Sequence, residues 1–224
     1  MVLEAKNFDY QAIEITPGLG QVAIFTLSGQ RQLPVLKHGE IVISDSSAII
    51  GYLEKLKPEP KLIPKHPKEK ALVQLIEDWA DTTMAKATRN ALIKAAAIDP
   101  DLLLGLLPNE VPTQLRNFIG ELPCEIISDL SGLIHEGEST ALLSNLEELS
   151  HSVQSSKWLV GNEMSIADIA IAAQLSLLRF PQSAGIKLAG KGCPGFSDNP
   201  LLEPLFDWRD QIENQLMATD FAAE

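Results

Sequence analysis

Two adjacent polar residues, Asp45 and Ser46, follow a β-rich run and precede an amphipathic one. At such a junction an acid and a hydroxyl make an N-cap. The same place offers free backbone N–H groups and the positive end of a helix dipole, which suit a carboxylate. Ser46 has a hydroxyl to donate to that carboxylate, and Asp45 can accept from an ammonium. A ligand carrying both charges side by side, such as a γ-glutamyl group, matches the pair. Upstream, Pro34 falls inside the run Gln32-Leu33-Pro34-Val35-Leu36-Lys37. Proline has no N–H for a ladder. At a sheet rim it leaves the backbone of Leu33 open to an extended peptide. Ser165 and Asp168 have the spacing of a capping box, and Met164 and Ile169 that of a hydrophobic staple. Their role is structural: they fold the chain and bind nothing.

Other chemistry-bearing residues form no constellation. Cys124 and Cys193 are far apart and outside any C-x-x-C pair, so neither zinc nor dithiol exchange is indicated. His38, His66, His135 and His151 lack i, i+4 or H-E-x-x-H spacing, and no metal site is assigned. Tyr10 and Tyr52 are read as packing residues. Gly18 to Ala23 fits G-x-G-x-x-A, but no βαβ unit surrounds it and the dinucleotide reading is set aside. No catalytic residue is assigned.

The elements that position these residues change character along the chain. Residues 10–16 alternate and predict a strand ended by Pro17-Gly18; 19–31 read as a loop. Strands are predicted over 32–37 and 41–43, joined by a tight turn at His38-Gly39-Glu40. A helix is predicted from Asp45 to Leu56, with Ala48, Ile49, Tyr52, Leu53 and Leu56 on one face. The proline-rich stretch from Lys57 to Pro67 reads as a linker. Beyond it the pattern is helical: 69–97, with Leu72, Leu75, Ile76, Trp79 and Met84 near the buried stripe, then 112–135, 139–154, 165–179 and 201–217.

Bulk properties narrow the function. The 224 residues are 45% hydrophobic, enough for a packed core. The formal net charge of −12 argues against a nucleic-acid partner, which needs clustered Lys and Arg. The N-terminus lacks the pattern of a signal peptide. The longest apolar run, Ile166 to Leu178, is short and contains Asp168, so no membrane span is predicted. The expected location is the cytoplasm, with both thiols reduced.

The stretch GQRQLPVLKHGEIVISDSSAIIGYLE, from Gly29 to Glu54, resembles the glutathione-binding segment of the cytosolic glutathione S-transferase superfamily. Val160 to Asp168, VGNEMSIAD, is similar to its L-V-G-x-x-x-S-x-A-D segment. The resemblance implies an α+β chain: a thioredoxin-like glutathione-binding domain over residues 1–57, a linker over 58–68 and an all-helical bundle over 69–224. It implies a cis bond before Pro34, the cysteinyl backbone of glutathione on Leu33, and its γ-glutamyl end on Asp45 and Ser46, with Arg31 or Gln32 reaching the glycyl end. It further implies glutathione as substrate, a small electrophilic or hydrophobic second substrate, and a homodimer. In that superfamily a Tyr, Ser or Cys at the start of the first helix activates the thiol. Met1 to Tyr10 resembles the end of that helix. The thioredoxin-like domain is therefore expected to be partial, lacking its first strand and the activating residue, with a true start upstream. The implied activity is conjugation of the glutathione thiol to small electrophiles; the alternative is a non-catalytic binding or scaffold protein on the same fold.

Overall fold

The computed structural model describes residues 1–13, 15, 20–107, 111, 114, 116 and 136–221. A thioredoxin-like portion precedes a helical one. The first contains α1 (Val2–Ala5), α2 (Gly20–Ser28), β1 (Val35–His38), β2 (Ile41–Ser44) and α3 (Ser46–Leu56). The second contains α4 (Pro67–Trp79), a π-helical turn (Ala80–Met84), α5 (Ala85–Ile98), α6 (Pro100–Gly105), α7 (Glu136–Ser155), α8 (Ile166–Leu178) and α9 (Glu203–Phe221). The predicted helix over 112–135, and Cys124 within it, lie outside the described residues. Among the described residues no helix is long and apolar enough to cross a membrane.

Strands β1 and β2 pair antiparallel, Val35 opposite Ser44 and His38 opposite Ile41. The turn between them uses Gly39 at φ +60°, a conformation glycine adopts without steric cost. The first strand begins at Val35, later than predicted, and leaves Leu33 and Pro34 outside the ladder. Two expectations fail upstream. Residues 10–13 and 15 form no strand: Ile13 is exposed and no strand among the described residues pairs with them, so alternation alone does not suffice. The predicted loop 19–31 is largely α2. Its C-terminus is closed by Gly29 at φ +74°, whose N–H donates to Phe25 O at 2.8 Å, and by Ser28 Oγ donating to Ile24 O at 2.8 Å. Flanking glycines hide this helix in the sequence.

In α3 the buried face carries Leu53, with Ile50 packed against the core, while Ala48 and Leu56 are exposed. On α4, Val73 and Glu77 are buried, and Ala80 and Met84 of the π turn continue that face; Ile76 and Trp79 pack against the core as predicted, whereas Leu72 and Leu75 point to solvent. The buried stripe is thus centred on Val73 and Glu77 rather than on the two leucines, because this is the face that meets α8.

Helix α8 is the centre of the core. Ile166, Ala167, Ile169, Ile171, Ala172, Leu175 and Leu178 are buried on it, and it packs on α4, the π turn, α5 and α9. Ala87, Ala91 and Ala95 of α5 recur every four residues and are buried. The N-terminus of α8 carries the predicted capping pair. The fully buried Asp168 carboxylate accepts from Ser165 N, Ser165 Oγ and Leu159 N, each at 2.8 Å. Burial pushes the Asp168 carboxyl above its ordinary range, against the pull of these donors. Met164 and Ile169, the expected staple, both belong to the core cluster.

The stretch after α3 is packed rather than free. Lys6 is fully buried; its ammonium sits 2.6 Å from a Glu54 carboxylate oxygen and donates to Lys57 O at 2.8 Å and Pro60 O at 2.9 Å. Leu62 is buried, and its carbonyl accepts from Ile166 N at 2.9 Å. Helix α1 packs on α9, and Ala5 joins the same core. Replacing Asp168 by Ala strips two buried backbone amides of their acceptor. At about 1–3 kcal/mol for each unmade buried bond, Asp168→Ala is expected to lower stability by about 2 kcal/mol or more. Urea unfolding checks this, and an unchanged midpoint would contradict the assignment.

Candidate functional site

A cavity of about 890 Å3 opens between α2, the segment leading into β1 and the start of α3 on one side and α4, the π turn, α5 and α8 on the other. Such a volume lies within the ordinary range of ligand sites. Leu33, Pro34, Asp45 and Ser46 all line it, as do Arg31 and Gln32. The Leu33–Pro34 bond is cis, and Leu33 is exposed.

Asp45 caps α3: Oδ1 accepts from Ala48 N at 2.9 Å. Its φ of +101° is one that side-chain-bearing residues rarely adopt, at a cost of about 1–3 kcal/mol. The cap and the following helix hold it there. Among the described residues no group accepts from the backbone N–H of Ser46 or Ser47, so the first turn of α3 presents open donors to the cavity. The Ser46 hydroxyl does not wait for a ligand, as the sequence suggests. It donates to Asp81 Oδ2 of the π turn. Next to it Ser47 Oγ donates to Glu77 Oε1 at 2.6 Å. Two serines on α3 thus meet two carboxylates one helical turn apart, and the two portions of the chain are joined at the cavity floor. Glu77 is buried, and burial raises its carboxyl above the ordinary range; the Ser47 bond opposes this, while the charges of Asp81, Asp78 and Asp45 add to it.

Sequence reasoning missed this second wall. Asp78, Asp81, Thr82, Ala85 and Arg89 line the cavity from the helical side, with Gln174 and Leu177 of α8. Their one sequence signal is spacing: 78, 82, 85 and 89 fall on a single helical face. The π turn lies where α4 passes into α5, and such turns recur at functional sites.

Both tyrosines and Cys193 lie outside the cavity lining and are engaged elsewhere. The Tyr10 hydroxyl donates to Glu4, and Tyr52 Oη lies 2.6 Å from His38 Nδ1. Cys193 is buried, and burial pushes its thiol up to about 12, so it is no nucleophile at neutral pH. Among the described residues no group of three or more His, Cys, Asp or Glu could hold a metal ion.

With this geometry in place, likeness to known proteins can be read. Residues 1–61 match the family model for the N-terminal domain of glutathione S-transferase. The chain is 26% identical over 183 residues to the maleylacetoacetate isomerase of Rattus norvegicus, covering 79% of this chain and 69% of that protein. It is 26% identical over 140 residues to FtsZ-localized protein A of Caulobacter vibrioides, covering 62% of this chain and 51% of that protein. The theta class glutathione S-transferase of Xanthomonas axonopodis pv. citri, solved with glutathione bound, has the same fold at a TM-score of 0.57 and 20% identity, over 95% of this chain and 84% of that one.

Glu77 gives the site a pH signature. Its folded carboxyl titrates above the ordinary 4.5, so just above that pH the folded chain holds a proton the unfolded chain has lost. Stability therefore falls as pH rises through this window. Glu77→Gln, which cannot titrate, is expected to gain on the parent chain between pH 4 and 7. Urea midpoints across that range measure the difference; parallel curves would contradict it.

Proposed function

We propose that this chain, which belongs to the cytosolic glutathione S-transferase superfamily, binds glutathione in the cavity between its two portions and joins the thiol to a small electrophile. The observation that carries this reading is the convergence of Leu33, Pro34, Asp45 and Ser46 on one cavity. The Leu33 backbone lies outside the β1–β2 ladder and is suited to the cysteinyl backbone of the ligand. The open N–H groups of Ser46 and Ser47 suit the γ-glutamyl carboxylate, helped by the helix dipole. Asp45 and Asp81 suit the ammonium beside it. In the reaction the glutathione sulfur, as thiolate, forms a bond to the electrophilic carbon. That carbon releases its leaving group with the bonding electron pair or, in an addition, passes negative charge on to be protonated. A homodimer and a cytoplasmic location belong to the same reading.

A second reading, a glutathione-binding module without catalysis, is favoured by the engagement of Tyr10, Tyr52 and Cys193 outside the cavity. Calorimetry with glutathione, followed by a conjugation assay with a chlorodinitrobenzene-type electrophile, separates the two. Binding with turnover supports the enzyme, binding without turnover the module, and no binding removes both. Removing one hydrogen bond to a charged ligand group costs about tenfold in affinity. Asp45→Asn keeps an oxygen to cap Ala48 N but loses the charge that faces the ligand ammonium, and is expected to weaken glutathione by about that factor.

A further inference from the structure

The glutathione reading leaves the Arg89 side chain of the cavity wall unused. Arg89 lines the cavity from α5, donates its Nε–H to Ala85 O at 3.1 Å and makes no ion pair among the described residues. The Glu138 carboxylate of α7 is already taken: it accepts from Lys86 at 2.7 Å and from Asn90 at 3.2 Å. Two Nη groups of a planar fork, the arrangement best suited to a carboxylate, are therefore left for a ligand.

Its surroundings point the same way. On α8, which packs on α5, Gln174 and Leu177 line the same cavity. Gln174 Oε1 is buried and has no hydrogen-bond partner among the described residues. A half-turn of that amide replaces the orphaned acceptor by an N–H2 donor, and a carboxylate satisfies both side chains at once. Leu177 and the buried Ala85 supply apolar wall between them. Asp45, Asp78 and Asp81 line the end where α3 meets the π turn, and the Arg89 guanidinium lies further along the wall, beside the Ala85 carbonyl.

We infer that the second substrate is an apolar electrophile bearing an anionic group, a carboxylate in the first instance, and that Arg89 with Gln174 selects it. This rests on the glutathione reading above, because the same cavity must hold both partners of the conjugate. Two product-like probes test it by calorimetry: S-benzylglutathione, and the same conjugate with a carboxylate in the para position of the ring. The intact chain is expected to bind the carboxylated conjugate about tenfold tighter, the effect of one charge-assisted bond pair. Arg89→Ala is expected to erase that preference and Arg89→Lys to restore part of it, with the benzyl conjugate as internal reference for folding. Equal affinities for the two conjugates, or a preference that survives Arg89→Ala, would overturn the inference while leaving the glutathione site standing. Failure of both conjugates to bind would remove the glutathione reading and this one with it.

Discussion

Three donors converge on the carboxylate of Asp168 where water cannot reach. Leu159 N and Ser165 N both donate to this one carboxylate, so the loop ahead of α8 and the start of α8 are fixed together. From this point α8 runs through the core and presents surfaces to α4, the π turn, α5 and α9. The connector after α3 is tied in by Leu62 O accepting from Ile166 N, one residue past the cap. The buried ammonium of Lys6, held by Glu54 and two connector carbonyls, fixes the other end of that stretch. A charged group this deep is tolerable only because each of its donors has an acceptor. The β-hairpin and α3 are thus held at a set distance from the helices, and the cavity is what that distance leaves open.

The cavity floor is built from the same chemistry with the opposite balance. At the cap, one acid meets three donors. At the floor, Glu77 and Asp81 each meet one serine hydroxyl and repel one another, with Asp78 and Asp45 close by. A buried acid such as Glu77 with so few donors is costly. A cationic group arriving at this end relieves the repulsion, which gives the ammonium of a γ-glutamyl ligand a reason to lie there.

The parts legible in the sequence are those whose signals are local. Ser165 and Asp168 are three residues apart, and their capping box is readable because both partners sit in one motif. The hairpin turn at Gly39 and the cap at Asp45 are readable for the same reason. Helix α2 was not: its glycine flanks and its Val, Ile, Phe and Thr residues resemble strand and loop, and the closing bonds of Ser28 and Gly29 are invisible without geometry. Residues 10–13 show the converse, a strand pattern with no partner strand beside it. The second wall of the site was hidden by distance along the chain. Ser46 and Asp81 are 35 residues apart and Ser47 and Glu77 are 30 apart, and no spacing rule joins them.

The π turn from Ala80 to Met84 carries one residue more than an α-helix needs for the same rise. Asp78 before the turn, Asp81 and Thr82 within it, and Ala85 and Arg89 after it all reach one cavity. In terms of descent, this makes the wall open to change by exchange of side chains and closed to change of length. Losing a single residue here would turn everything on one side by about 100°, and Arg89 would face a different part of the molecule from Asp81.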